Sequence, residues 1–356
     1  MRKYLTLPNY IASTNARIAE PVKHIILFLV TFLTCTIAGA QWAAKDFTEV
    51  SNWIYGLEYA ILILTFLSAH EFAHYFAARR HGVDCTLPYY IPFPIPYTLN
   101  FGTFGAVIRT RSAISSRKAL FDIGASGPIA GFIVCVIFLA AGFATLPPSD
   151  YLFSIHPEYR ALLGGRIPET GLTFGLMPLF EIMKDLFAPK GAFIPPPNEI
   201  FHYPLLNVGW FGLFVTSLNL LPIGQLDGGH IVYSIFKKTH HRISVWSWRA
   251  LTLIGLLSVL AFLYEFISFD TNYRYVFYVQ SLLNKPLIWL KMHLPWTMTS
   301  WAGWLVWAAM LKFVTKLRHP TVYDLEDIGA FRKALGLLCL IILALSFSWQ
   351  GLYFAQ

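Results

Sequence analysis

His70, Glu71 and His74 fall within five residues in "LSAHEFAHYFAARRHG", residues 68–83. On a helix the two histidines share one face a turn apart, so both imidazoles can reach one ion. Glu71 projects about 100° away from His70. It can touch a water on that ion without taking a coordination position. Zinc lowers the pKa of such a water towards neutrality, and a carboxylate beside it can accept the proton and pass it to a leaving amine. The setting strengthens this reading, because residues 61–78 are otherwise apolar. Ionisable groups in hydrocarbon are costly and mark function.

A catalytic zinc takes three protein ligands and leaves one position open. The stretch "NLLPIGQLDGGH", residues 219–230, offers the third. Pro222, Gly224, Gly228 and Gly229 interrupt an apolar segment there, and broken helices at membrane depth survive only around a protein-lined or watery cavity. Asp227 is the expected ligand, and the two glycines after it permit close backbone approach. Asn219 can donate to a developing oxyanion. His230 is a further candidate. His81, His202, His240 and His241 flank apolar segments and read as solvated or interfacial.

These groups need elements to hold them. The chain has 356 residues, 56% hydrophobic and only 13% charged, too little charge to cover a soluble protein of this size. Apolar stretches near bilayer-spanning length are expected at 23–41, 55–78, 120–146, 207–236, 249–269, 297–315 and 334–353. The expected fold is an all-α polytopic membrane protein of about seven transmembrane helices, with a small β-hairpin or sheet at the cytoplasmic side of the active site. It divides into an N-terminal cytoplasmic segment and first helix (1–53), a core bearing the motifs (54–236) and C-terminal helices (237–356).

The net charge of +8 is explained by topology. Arg2, Lys3, Arg17 and Lys23 precede the first expected span, and Arg79 and Arg80 follow the second. Arg109, Arg111, Arg117 and Lys118 precede the third, while Lys237, Lys238 and Arg242 follow the fourth. The positive-inside rule then places 79–118 in the cytoplasm and 147–206 outside. No aromatic-basic surface points to nucleic acid. Cys35, Cys85, Cys135 and Cys339 form no CxxC and read as small buried hydrophobes. Leu179, Phe180, Ile182, Met183, Leu186 and Phe187 form a helical stripe, expected to lie on the outer surface. "TFGAVIRT" has strand character around Gly102 and Gly105.

The combination resembles a known family. His70-Glu71-x-x-His74, then Gly127-Pro128-Ile129-Ala130-Gly131, then Asn219-x-x-Pro222 leading to Leu226-Asp227-Gly228-Gly229 resemble the site-2 protease (M50) family of intramembrane zinc metalloproteases, over about 55–236. The longer forms "HEFAHYFAARRHG", "FGTFGAVIRTRS" and "NLLPIGQLDGGH" are similar to its PDZ-less plastid and cyanobacterial-type branch. The resemblance implies one Zn2+ per chain, bound by His70, His74 and Asp227, with Glu71 as base and Asn219 assisting the oxyanion. It also implies a substrate-binding edge strand over Thr103, Phe104, Gly105, Ala106, Val107, Ile108 and Arg109. The implied activity is hydrolysis of peptide bonds in transmembrane or membrane-anchored proteins within a lipid bilayer. A bacterial inner membrane is the expected location, with the oligomeric state left open.

Two departures qualify the match. No PDZ domain fits within 147–206, and no CBS pair follows the core. GPxxG also replaces a more polar GPxxN, so Gly131 is expected to serve packing alone. Two rival readings use the same residues. A metal transporter would need more carboxylates or histidines along a pathway, and a non-catalytic binding homologue would lack Glu71 or a ligand.

Overall fold

A computed structural model describes residues 7–95, 100–114, 116–322 and 326–355, with side chains from residue 20 onward. Arg2, Lys3 and the side chain of Arg17 lie outside the described residues. The chain opens with α1 (Leu7–Trp42), a 3-10 turn (Val50–Gly56) and α2 (Leu57–Arg80), which carries His70, Glu71 and His74. Strands β1 (Tyr89–Pro92) and β2 (Thr103–Val107) form an antiparallel hairpin, and α3 (Arg117–Ala144) follows. Next come α4 (Asp150–Ile155), α5 (Pro157–Ala161), β3 (Gly171–Phe174) and α6 (Pro178–Phe187). The remainder is α7 (Pro204–Leu220), α8 (Asp227–Phe236), α9 (His240–Ser268), α10 (Arg274–His293), α11 (Gly303–Met310), α12 (Ala330–Ser346) and β4 (Leu352–Ala355).

The centre of the molecule is α3, packed against α2, α7 and α8. Ser116 starts it as an N-cap, its hydroxyl accepting from the Lys118 and Ala119 N–H groups. Phe66, Phe121, Leu139, Phe143 and Trp210 are almost fully buried around it. Small residues let the backbones close: a Cβ on Gly39 would lie 2.6 Å from the Gly56 carbonyl oxygen, where α1 crosses the start of α2. The hairpin is pinned to α1, because the Thr34 hydroxyl donates to the Gly102 carbonyl at 2.6 Å.

Among the described residues, four helices are long and apolar enough to cross a membrane: Glu20–Trp42, Val50–Arg80, Arg117–Ala144 and His240–Ser268. These correspond to four of the seven expected spans, and shorter apolar helices stand at Pro204–Leu220 and Gly303–Thr315. The fourth expected span divides into α7 and α8, because Pro222 lacks a ladder N–H and Gly224 turns the chain at φ +57°. A Cβ on Gly228 would sit 2.0 Å from the Leu220 carbonyl oxygen, so only glycine lets α8 fold back so closely. The sixth shortens because Pro295–Met298 forms a 3-10 turn, leaving an apolar helix over Gly303–Thr315. The seventh ends at Ser346, beyond which the chain becomes β4.

The expected helix over 179–187 is α6. Leu179, Phe180 and Met183 are buried, with Phe180 edge-on to Phe143 at 5.0 Å. Only Ile182, Leu186 and Phe187 remain exposed. The short helices α4 and α5, the helix α10 and the strands β3 and β4 were not foreseen. The helix α10 carries Arg274, Lys285, Pro286 and Lys291, which hid it from a hydropathy reading. The strands β3 and β4 pair across a long sequence separation.

Candidate metal centre

The HExxH helix and the broken segment meet across α3. His74 Nδ1–H donates to the Ile123 carbonyl of α3 at 2.6 Å, which leaves the Nε2 lone pair facing inward. His70 Nε2 lies 3.1 Å from His74 Nε2. Asp227 Oδ2, in the first turn of α8, is 3.4 Å from His70 Nε2 and 3.3 Å from His74 Nε2. Three donor atoms therefore converge within 4.8 Å of one another. Two imidazole nitrogens and a carboxylate oxygen facing one point are a set that suits zinc. Without a cation, the lone pairs would repel in a buried site.

Glycines make the space. A Cβ on Gly127 would lie 2.1 Å from His74 Nε2, and one on Gly131 would lie 3.3 Å from His70 Nδ1. The GPxxG motif thus does more than pack helix on helix: it cradles both imidazoles. At Gly131 the nearer neighbour is Phe66 Cε2, at 3.0 Å, so the approach to His70 is looser than that of Gly127 to His74.

Glu71 is buried beside the donors, and the Ile108 N–H donates to its Oε2 at 2.9 Å. Asn219, one residue before the end of α7, places its amide nitrogen 3.3 Å from His70 Nε2. All five residues expected at the centre are brought together. Of the expected edge strand, Ala106, Val107 and Ile108 line the adjoining cavity of about 590 Å³; Thr103, Phe104, Gly105 and Arg109 are not among the lining residues.

Other residues were invisible in the sequence. His319, Pro320, Thr321 and Val322 line the same cavity from the segment between α11 and α12. His319 Nε2 is 2.7 Å from His230 Nδ1, and its ring stacks on Tyr233 at 4.2 Å. Burial holds the His319 imidazole below its ordinary pKa, which keeps it neutral. His230, the alternative third ligand, is engaged with His319 rather than with the donor trio. The interfacial reading also fails for His202 and His240, both nearly fully buried.

The profile of Peptidase family M50 matches residues 58–262. The chain belongs to this family. Among similar curated proteins is "Probable zinc metalloprotease EGY2, chloroplastic" of Oryza sativa subsp. indica, 30% identical over 222 residues, which are 62% of this chain and 36% of that protein. "Probable zinc metalloprotease EGY1, chloroplastic" of Arabidopsis thaliana is 27% identical over 284 residues, 80% of this chain and 41% of that protein. The chain spans about two-fifths of the length of these relatives. No solved structure matches it. His70, Glu71, His74, Asn219 and Asp227 all fall inside the family match, whereas His319 and its neighbours lie beyond it.

Proposed function

We propose that the chain is an intramembrane zinc endopeptidase acting on transmembrane or membrane-anchored proteins. The observation that carries this reading is the convergence of His70, His74 and Asp227 beside Glu71, the HExxH residues standing on a helix, Val50–Arg80, that is long and apolar enough for a bilayer. The relatives' printed names, which call them zinc metalloproteases, support it. Zinc, which His70, His74 and Asp227 would hold, would supply polarisation of the scissile carbonyl and of the attacking water. Glu71 takes the proton from that water and returns it to the departing amine. The Ile108 N–H holds the carboxylate in position, and the Asn219 amide donates to the developing oxyanion. The catalytic unit is 54–236, with the cavity side of the membrane cytoplasmic or its equivalent. For the compartment, the relatives named chloroplastic favour a plastid membrane over the bacterial inner membrane expected from sequence alone. Comparing the membrane proteome of cells carrying the active chain with cells carrying Glu71→Gln tests the function. Full-length membrane proteins should accumulate in the variant, and an unchanged proteome counts against proteolysis.

A helical substrate hides its peptide groups and must unwind to be cut. Its freed N–H and C=O groups need partners in a dry cavity, which an unpaired strand edge provides. On the β1 side, Thr86 N–H donates to the Arg109 carbonyl; on the opposite side, Ile108 N–H points to Glu71. Alternation along a strand puts the Ala106 N–H on the Ile108 side and the Val107 N–H on the β1 side. Ala106→Pro should therefore abolish cleavage while zinc content and folding persist. Val107→Pro should instead loosen the hairpin. Normal cleavage by both variants, folded and zinc-loaded, would remove β2 as the substrate clamp.

A further inference from the structure

At the opposite end of α7 from Asn219, about 25 Å away along the helix, a second trio converges. His156 Nε2 is 2.9 Å from His202 Nε2, and Glu199 Oε2 is 3.4 Å from His202 Nε2 and 3.7 Å from His156 Nε2. The three donor atoms lie within 4.8 Å of one another. Glu199 is 2% exposed and its Oε2 has no hydrogen-bond partner. Among the described residues its ion pairs are with these two histidines, and no lysine or arginine joins them.

The outer atoms of each ring fix which nitrogen carries the lone pair. His202 Nδ1 lies 2.9 Å from the Trp42 carbonyl, an atom that only accepts, so this nitrogen is the donor. His156 Nδ1 lies 2.9 Å from Glu158 Oε1, a carboxylate that likewise accepts. Both Nε2 atoms then present lone pairs to each other and to the bare Glu199 oxygen. This is the arrangement in which ligating histidines are oriented by carbonyl and carboxylate acceptors behind them. The other Glu199 oxygen is held by the Tyr159 hydroxyl at 2.8 Å, which aims Oε2 at the histidines. A buried carboxylate and two inward lone pairs call for a cation.

We propose that His156, Glu199 and His202 form a second divalent-metal site, taking zinc or another first-row cation that favours imidazole. The ligand set argues against magnesium and calcium, which take oxygen. The site joins three separate pieces of the far face: the end of α1 through Trp42, the junction of α4 and α5 through His156, and the turn entering α7. The Tyr151 hydroxyl donates to the His202 carbonyl at 2.7 Å and completes the clasp. His156 has 22% of its side chain exposed and gives the ion its way in. The role is architectural, since the trio ties these three pieces together, and it stands whether or not the first centre binds zinc.

The test uses the purified full chain, stripped by chelator, reloaded with zinc chloride, freed of excess metal and assayed for zinc per chain. Wild type should hold two. Glu199→Gln, which preserves volume and the bond from Tyr159, should hold one; so should Asp227→Ala, and the double variant none. His156→Ala, at the exposed rim, repeats the loss with the least risk to folding. Zinc should also raise the melting temperature of Asp227→Ala, and not that of Asp227→Ala combined with His156→Ala. One zinc in wild type, unchanged by Glu199→Gln and His156→Ala, would mean that the histidines share a proton instead, and overturns the site. If Asp227→Ala keeps its zinc while Glu199→Gln loses one, only the reading of the first centre fails.

Discussion

Glu71→Gln should keep its zinc at the HExxH centre and lose cleavage by roughly 10²–10⁴-fold, the range removed with a positioned acid–base group. Glutamine preserves the volume and still accepts from the Ile108 N–H, which now bonds Glu71 Oε2 at 2.9 Å. It cannot take a proton from water. The donor trio of His70, His74 and Asp227 does not include this side chain, so metal content should stay at the wild-type level. Elemental analysis beside a cleavage assay separates the two effects. Substantial cleavage by the zinc-loaded variant would return the base to another residue, with His230 the first to examine, since it lines the same cavity.

Gly127→Ala should strip that centre of zinc and reduce cleavage below detection, although it adds a single methyl group. The new carbon would lie 2.1 Å from His74 Nε2 and 2.5 Å from Cδ2 and Cε1 of the same ring. The ring has nowhere to go, since its Nδ1–H is tied to the Ile123 carbonyl and the side chain is buried. If the ring swings clear, the ligand is lost; if α3 retreats, Ile123 takes the hydrogen bond with it. Gly131→Ala is the matched control. Its Cβ would meet Phe66 Cε2 at 3.0 Å and His70 Nδ1 at 3.3 Å, contacts that a shift of a few tenths of an ångström relieves. It should retain most of its zinc and a measurable rate. Equal zinc in the two variants would show that Gly127 does not cradle His74.

The contrast between these glycines shows what could be read before the fold was known. His70, Glu71, His74, Asn219 and Asp227 were legible because each polar type stands out against hydrocarbon, and because helical spacing dictates which of them share a face. The hairpin over β1 and β2 was legible from proline, aromatic and β-branched content. The purpose of Gly127 was not, because it depends on an imidazole from another helix. His319 was hidden for the same reason: only the return of the segment after α11 places it on Tyr233 and His230. His202 was misread because hydropathy marks it as flanking a span, while its burial comes from Trp42 and His156. The division of the fourth expected span into two helices was hidden because apolar content continues through the turn at Pro222 and Gly224, which hydropathy alone does not register.

The pairing of β3 with β4 joins Phe174 to Leu352 and Gly171 to Ala355, and it carries a consequence for how the protein is made. Synthesis proceeds from the N-terminus, so β3 emerges long before its partner exists. Throughout the synthesis of α7 to α12 its backbone is an open edge, and open edges recruit other strands. Closure also waits on contacts of high sequence separation, which form slowly. A ribosome stalled before Leu352 would therefore release a product in which His70, His74 and Asp227 are all present and the β3 edge is bare. In such a product Gly171–Phe174 is the segment where aggregation would begin and where quality-control factors would find it.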